Sequence, residues 1–133
     1  AEGAVPRYVG LRLGSAKGKD GKNLDVEVTL ETAPSVLFDA VVIPDGDAGV
    51  NALLASGHAL EFVKDQFRHC KTILALGAGE KLLAAAGIPE VLKDGAKDAG
   101  LLKFANANQA AAPFIAAIAK HRHFERQSDP PTI

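Results

Sequence analysis

Near the middle of the chain stands the stretch Lys71-Thr-Ile-Leu-Ala-Leu-Gly-Ala-Gly-Glu-Lys-Leu-Leu83. Its apolar run over residues 73–76 predicts a buried strand, its two glycines predict a tight turn, and a helical pattern follows at once. A strand, a glycine turn and a helix in this order form the nucleophile elbow, which presents a catalytic Ser or Cys above an α/β sheet. The apex falls on Gly77, which has no side chain to react. The stretch therefore predicts an elbow without covalent chemistry.

On both sides of this elbow, predicted strands alternate with predicted helices. Strands are expected over residues 40–43, 73–76 and 101–104, and helices over 49–55, 57–70, 79–86 and from 107 onward. Such βαβ units build a doubly wound, mostly parallel sheet. The continuous apolar run of residues 40–43 suits a central strand covered by helices on both faces. The chain opens on a strand, however, so a first βα unit is expected to be missing.

The first thirty residues predict a small β-ribbon that leaves the main sheet. Residues 5–13 and 24–30 read as strands, and the Asp20-Gly21 pair between them is a turn signal. Lys17, Lys19 and Lys22 cluster at this turn among glycines. They are interpreted as a solvated hairpin tip, with an anion-binding loop as the alternative.

The composition limits the classes of function. A chain of 133 residues fits one domain over residues 1–133, and its net charge of -1 argues against nucleic-acid binding. No apolar run approaches the ~18 residues of a membrane span. With Cys70 as the single cysteine, no intrachain disulfide can form and a cytoplasmic location is expected. The absence of Met, even at position 1, indicates a processed or excised segment.

Several side chains invite a catalytic or metal-binding interpretation. Cys70 is expected at a helix end next to His69, as a structural cysteine or, alternatively, a redox-sensitive thiol. His121 and His123 are two apart, which is not the spacing of metal ligands on a helix, so a cationic helix end is expected. His58 and Asp65, seven apart, could share a helix face, and a solvated face is expected there.

The glycine turn also invites a ligand-binding interpretation. The carboxyl ends of parallel strands form the crevice where such folds bind ligands, and Asp45-Gly46 ends the neighbouring predicted strand. Residues 77–79 lack the lysine of a nucleotide-binding loop. A vestigial pocket is expected, with a small-anion or small-molecule site as the alternative.

Three parts of the chain carry a resemblance to a known family, namely two long stretches and the end of the chain. These are Val36-Leu-Phe-Asp-Ala-Val-Val-Ile-Pro-Asp-Gly46, His58-Ala-Leu-Glu-Phe-Val-Lys-Asp-Gln-Phe-Arg-His-Cys-Lys-Thr-Ile-Leu-Ala-Leu-Gly77, and His121-Arg-His-Phe-Glu-Arg126 with Asp129-Pro-Pro131. The chain resembles the C-terminal domain of large-subunit haem catalases over nearly its whole length. The resemblance implies a flavodoxin-like fold, similar to the class-I glutamine amidotransferase and intracellular protease superfamily.

Active members of that superfamily carry a pattern like Ala-Ile-Cys-His-Gly at the elbow. Here the pattern meets Ala75-Leu-Gly-Ala-Gly79, so both the Cys and the His are replaced. The resemblance thus implies a non-catalytic domain with no catalytic, cofactor-binding or metal-binding residue, in a parent catalase whose haem lies in another domain. Tyr8 matches nothing in that haem site.

The implied partners are the catalase core and the other subunits of a homotetramer, and the implied roles are oligomer stabilisation, shaping the approach to the haem channel and a chaperone activity. An autonomous hydrolase or amidotransferase-like enzyme and a small-ligand-binding module remain as alternatives. A further expectation follows from the missing unit. The strands near Val9 and Val41 should flank a slot that upstream sequence, another copy or a swapped strand occupies.

Overall fold

The protein is built around a three-stranded parallel sheet, here described in a computed structural model that covers residues 3–18 and 20–127. The strands are β1 (Val9–Gly10), β2 (Gly14–Lys17), β3 (Asn23–Val26), β4 (Val28–Thr29), β5 (Ala40–Ile43), β6 (Thr72–Leu76) and β7 (Leu101–Phe104). The helices are α1 (Asp47–Leu54), α2 (Gly57–Arg68), α3 (Glu80–Ala85) and α4 (Ala107–Ile118). Short 3₁₀ turns lie at Ser35–Leu37, Gly77–Gly79 and Phe124–Arg126.

The main sheet has the order β5-β6-β7, and all three strands run parallel. Ile73 of β6 lies opposite Val41 on one side and Leu101 on the other. Residues 72–75 are buried because the sheet is covered on both faces, as the unbroken apolar run predicted. The core that packs around β6 comprises Ile43, Val63, Ile73, Ala75, Leu82, Leu83, Ala86, Ile88 and Leu101.

The helices begin where local chemistry caps them. Ser56 accepts a hydrogen bond from the backbone N–H of Ala59 at 3.3 Å and caps α2, as predicted. Asn106 caps α4 in the same way through Gln109 at 3.1 Å. Pro113 lies inside α4 without ending it, although it removes one hydrogen bond from the helix. No helix among the described residues is long and apolar enough to cross a membrane.

The predicted ribbon is present but is built differently from the prediction. Strands β2 and β3 form an antiparallel hairpin around the Asp20-Gly21 turn. The long strand predicted over residues 5–13 is wrong, because only Val9–Gly10 pairs, in parallel with β4. Residues 11–13 bend away toward the hairpin, and Val26 packs where a side chain at Gly10 would stand. The first thirty residues therefore form two small sheets apart from the main one.

The strand predicted as central, β5, is at one edge of the three-stranded sheet. Within the described part of the chain it pairs with β6 alone, and Val42 is 45% exposed. The central position belongs to β6 instead. The α/β class with a mostly parallel sheet is confirmed, whereas the missing first βα unit stays a prediction.

Candidate functional site

The carboxyl end of β6 forms the predicted elbow. One 3₁₀ turn, Gly77–Gly79, connects the strand directly to α3. Gly77 has a φ of +48°, in the left-handed region that residues with side chains adopt at a cost. A nucleophile elbow presents its apex residue through this kind of strained turn. The geometry of the elbow is therefore kept, with glycine at its apex.

The carboxylate of Asp45 fills the space beside that apex. Its Oδ1 accepts hydrogen bonds from the backbone N–H groups of Ala78 and Gly46, each at 2.8 Å. A Cβ at position 77 would lie 2.3 Å from this oxygen and 2.5 Å from the carboxyl carbon. Neither Ser nor Cys fits at the apex while Asp45 stays in place. The sequence indicated the missing nucleophile but not the carboxylate that occupies its place.

The second glycine of the turn serves packing. A Cβ on Gly79 would lie 2.9 Å from Cγ2 of Ile43 and 3.0 Å from its carbonyl oxygen. The start of α3 therefore approaches the end of β5 closely. This contact places Asp45, two residues beyond Ile43, against the elbow.

The backbone donors and the lysine nearest the elbow already have hydrogen-bond partners. Asp45 takes up the N–H groups of Gly46 and Ala78, which an incoming anion would need. The nearby ammonium group of Lys81 donates to Asp47 at 2.7 Å, and both side chains are exposed. This arrangement favours the interpretation as a vestigial pocket, whereas the alternative of a small-anion site stays a prediction.

Cys70 lies at the opposite end of β6 from the elbow. The five residues of the strand span roughly 16 Å, so the thiol cannot act at Gly77. Cys70 is 2% exposed, and its Sγ lies 3.9 Å from the carbonyl oxygen of Arg68. Burial raises the pKa of the Cys70 thiol, against the opposing effect of Arg126. Because a nucleophilic cysteine needs a lowered pKa, these features favour a structural cysteine.

The histidines near the C-terminus are placed differently from the prediction. Helix α4 ends at Ile118, so His121 and His123 follow the helix, and His121 adopts a φ of +63°. The expected cationic helix end is wrong for His123, which is buried and lies beyond the end of α4. Its Nε2 lies 2.9 Å from Oγ1 of Thr72, and its backbone N–H donates to the carbonyl of Cys70 at 2.7 Å. Burial, with a second contribution from Arg126, lowers the pKa of His123.

Next to His123, a buried ion pair fixes the end of the described chain. Arg126 Nε donates to Oδ2 of Asp98 at 2.7 Å, and the two side chains are only 1% and 2% exposed. Arg126 also donates to the carbonyl of Lys71 and lies 4.7 Å from the ring centroid of Phe67. We call His123, Thr72, Asp98 and Arg126 the C-terminal lock.

Sequence reasoning missed this lock. Its one available signal was the motif over residues 121–126, which stood out in the family resemblance but carried no sign of burial. Gly100 contributes because a Cβ there would lie 2.2 Å from the ring of His123. The companion motif over residues 129–131 lies outside the described residues.

His58 and Asp65 do share a face of α2. Both line a cavity of about 160 Å³ together with Ser35 and Phe62. Asp65 accepts a hydrogen bond from Arg68 at 2.9 Å, and Arg68 also contacts Glu61. Such exposed i,i+3 pairs are typical of a solvated helix face. At the hairpin, Lys17 and Lys22 are exposed, as expected for a solvated tip, whereas Lys19 lies outside the described residues.

Side chains of the types that ligate metals are scattered over the described part of the chain. Among the described residues, no three His, Cys, Asp or Glu side chains lie together in a group able to hold a metal. Tyr8 is 44% exposed beside β1, and the buried His123 is engaged by Thr72. A groove of about 510 Å³ along α2 is lined by Gly57, His58, Leu60, Glu61 and Lys64.

The chain is similar to known proteins over nearly its whole length. Residues 1–128 match the family model described as the C-terminal domain found in long catalases. The chain is 34% identical over 128 residues to Catalase HPII of Pseudomonas putida, covering 96% of this chain and 16% of that protein. It is 36% identical over 126 residues to Catalase C of Rhizobium meliloti, covering 95% of this chain and 17% of that protein. The chain thus spans about one sixth of each relative.

The fold also matches solved structures outside the catalases. A two-domain protein from Anabaena variabilis with DJ-1/ThiJ/PfpI-like and ferritin-like domains superposes with a TM-score of 0.72 at 19% identity. The match covers 90% of this chain and 40% of that protein. At this identity the likeness concerns the fold alone, and it confirms the predicted flavodoxin-like, amidotransferase-like architecture.

Proposed function

The chain belongs to the family of C-terminal domains found in long catalases, and on this basis we propose that it is a non-catalytic accessory domain of an enzyme that decomposes hydrogen peroxide. The relatives reported above are catalases. They match nearly all of this chain, whereas the chain covers only about one sixth of each of them. The chemistry that converts hydrogen peroxide to water and oxygen is assigned to a haem-binding part of the protein outside residues 1–133. The parent is an oxidoreductase, and this domain carries no catalytic, cofactor-binding or metal-binding residue.

One observation carries the assignment of a non-catalytic domain. The Asp45 carboxylate occupies the position that an apex side chain would need at Gly77, with a distance of 2.3 Å to a Cβ built there. Regaining the covalent chemistry of the fold would therefore require at least two changes, a nucleophile at 77 and removal of the carboxylate at 45. The raised pKa of the buried Cys70 thiol gives no support to an autonomous hydrolase either.

The proposed role is structural. The domain stabilises a homotetramer by binding the catalase core and neighbouring subunits, shapes the approach to the haem channel and shields exposed apolar surface as a chaperone, in the cytoplasmic response to peroxide. Residues 1–133 form a single domain, incomplete in itself, that functions as part of the longer protein. The many exposed apolar side chains before residue 43 support a role in contact with other polypeptide.

Removal of the domain from the full-length protein tests this role. We expect the initial rate of peroxide decomposition per haem to change by less than about twofold, while the tetramer loses activity faster on heating. The measurements are oxygen release per haem, residual activity after heating, and native mass spectrometry of the oligomer. A rate that collapses while the tetramer stays intact would contradict a passive role, and so would unchanged heat resistance.

A point variant makes the same test without deletion. Asp98→Ala in the full-length protein breaks the C-terminal lock and should reproduce the faster heat inactivation. Glu90→Gln, which removes an exposed ion pair with Lys103, is the matched control and should behave like the unmodified protein.

A further inference from the structure

A short C-terminal segment, residues 121–127, attaches to the domain mainly through the C-terminal lock. These described residues contain no strand and no α-helix, only the 3₁₀ turn Phe124–Arg126. Outside the lock, Arg122 donates to the carbonyl of His69 at 3.1 Å, and Phe124 is 60% exposed. The described core that packs around β6 includes none of the segment's residues. The attachment of the segment therefore depends on the lock rather than on the main core.

Two potential cations lie side by side in the lock. A Cβ on Gly100 would lie 2.2 Å from Cδ2 of His123 and 2.6 Å from Nη2 of Arg126. His123 is 2% exposed and the side chain of Arg126 is 1% exposed. Asp98 already accepts hydrogen bonds from Nε of Arg126 at 2.7 Å and from the N–H of Gly100 at 2.8 Å. Within the described part of the chain, Nη2 of Arg126 has no partner, so the guanidinium is not fully satisfied even beside a neutral imidazole.

Every element packed against His123 contributes to the surroundings of its imidazole. Strand β6 presents the uncharged hydroxyl of Thr72, whose Oγ1 lies 2.9 Å from Nε2. The ammonium group of Lys71, which precedes that strand, lies 3.8 Å from Asp39 instead. The titratable groups around the imidazole are the thiol of Cys70 after α2, the carboxylate of Asp98 before β7, Arg126, and Glu125 and Lys120 on its own stretch of chain. Because Glu125 is exposed, the lock holds one buried carboxylate for two potential cations.

We propose that the C-terminal lock is an acid-sensitive latch, in which protonation of His123 detaches residues 121–127 from the start of β6 while the rest of the domain stays folded. The latch goes beyond the proposed function and does not depend on it. A protonated imidazole beside the buried guanidinium of Arg126 leaves two cations with one buried carboxylate. Because an uncompensated buried charge is costly, the segment gains free energy when detachment returns both cations to water.

The direction of the pH dependence follows from the two states of His123. In the latched state, burial and then Arg126 lower the pKa of the imidazole. In the detached segment the imidazole is solvated, and its pKa returns to the ordinary value of about 6.5. Detachment therefore takes up a proton. The equilibrium constant for detachment should rise as the pH falls below about 6.5, by at most about tenfold for each pH unit.

The thiol of Cys70 can report on detachment. Cys70 is 2% exposed, and the backbone N–H of His123 donates to its carbonyl at 2.7 Å. Most of the charged side chains that influence the pKa of this thiol belong to the segment, namely Arg126, Arg122 and Glu125. The thiol therefore lies close to residues 121–127, and their detachment should uncover it.

Labelling of Cys70 with 4,4′-dithiodipyridine in the full-length protein tests the latch. Mass spectrometry of the peptide that contains Cys70 gives the labelling rate, and division by the rate in denatured protein at the same pH removes the effect of thiol ionisation. This ratio should rise at least about fivefold from about pH 7.5 to about pH 5.5 in the unmodified protein. It should stay constant in His123→Gln. The control Glu90→Gln, which removes an exposed ion pair, should respond like the unmodified protein.

Hydrogen exchange on the same samples distinguishes a latch from unfolding of the domain. At the acid pH, after correction for the intrinsic exchange rate, the amides of His123 and Arg126 should lose protection while those of residues 74–76 in β6 keep it. Loss of protection throughout β6, together with faster labelling, would show global unfolding and overturn the proposal. A labelling ratio that stays constant in the unmodified protein, or an equal rise in His123→Gln, would overturn it as well.

Discussion

Oδ1 of Asp45 lies 2.3 Å from the point where a Cβ on Gly77 would stand. The same oxygen accepts hydrogen bonds from Gly46 and Ala78, so the carboxylate is held in place on both sides. The turn keeps the left-handed backbone that an elbow needs, but the space for a nucleophile is taken up by the protein itself. The apex therefore lacks a reacting side chain, and the Asp45 carboxylate occupies the space that such a side chain would need.

Asp45→Gly should expose the two backbone donors that the carboxylate now occupies. We expect the free energy of unfolding to fall by about 1 kcal/mol, because the N–H groups of Gly46 and Ala78 lose their acceptor. Sodium formate should restore part of this loss, since formate supplies a small carboxylate. Urea unfolding in formate and in chloride at equal ionic strength measures the effect. A formate effect no larger in the variant than in the unmodified chain would contradict the arrangement.

Among single substitutions in the C-terminal lock, Asp98→Ala should cause one of the largest losses in the free energy of unfolding. Removing the carboxylate leaves the guanidinium of Arg126 buried without its partner, which costs about 3–5 kcal/mol in comparable sites. Glu90→Gln removes an exposed partner of Lys103 and should cost less than about 1 kcal/mol. Denaturant unfolding monitored by circular dichroism compares the two variants. Equal, small effects would show that the buried pair contributes little.

The stability of the chain should depend on pH through His123. Because its pKa is lowered below the ordinary 6.5 in the folded chain, the unfolded chain binds a proton first as the pH falls. The free energy of unfolding should therefore decrease as the pH drops below about 6.5, and this contribution is fully present above that pH. His123→Gln should remove this part of the pH dependence. An unchanged pH dependence of urea unfolding in His123→Gln would contradict this prediction.

Cys70 should not react with thiol reagents in the folded protein. Its burial and raised pKa keep it as a thiol, whereas the thiolate is the reactive form. With 5,5′-dithiobis(2-nitrobenzoate), we expect slow labelling under native conditions and labelling of the single cysteine per chain in denaturant. Fast labelling at neutral pH under native conditions would revive the hydrolase alternative.

Local signals predicted the central part of the fold well. The run of residues 101–104 was predicted as a strand with the bounds that β7 has, and Ser56 was predicted as the cap of α2. These features depend on neighbouring residues, through hydrophobic period and capping chemistry. The long first strand failed because alternation alone does not supply a pairing partner, and only Val9–Gly10 found one.

The decisive contacts of the site could not be predicted because they join residues far apart in sequence. Asp45 and Ala78 are 33 residues apart, and Thr72 and His123 are 51 apart. From the sequence, an Asp before a glycine predicts a turn, and a His after a helix predicts a solvent-exposed side chain. The distant partner that changes either prediction is known only once the fold is known. Gly77 alone shows in the sequence that no nucleophile stands at the apex. The position of the Asp45 carboxylate in that space could not be predicted, because it depends on the crossover from β5 to β6.

A double-mutant cycle between positions 45 and 77 tests the central claim most directly. Gly77→Ala should cost more stability than Gly87→Ala, because Gly87 also has a positive φ, +68°, but a Cβ there meets nothing within 4 Å. In the Asp45→Gly background, the cost of Gly77→Ala should fall to that of Gly87→Ala, giving a coupling energy of about 1 kcal/mol or more. A Gly77→Ala cost equal to that of Gly87→Ala and unchanged by Asp45→Gly would contradict the claim that the carboxylate occupies the apex.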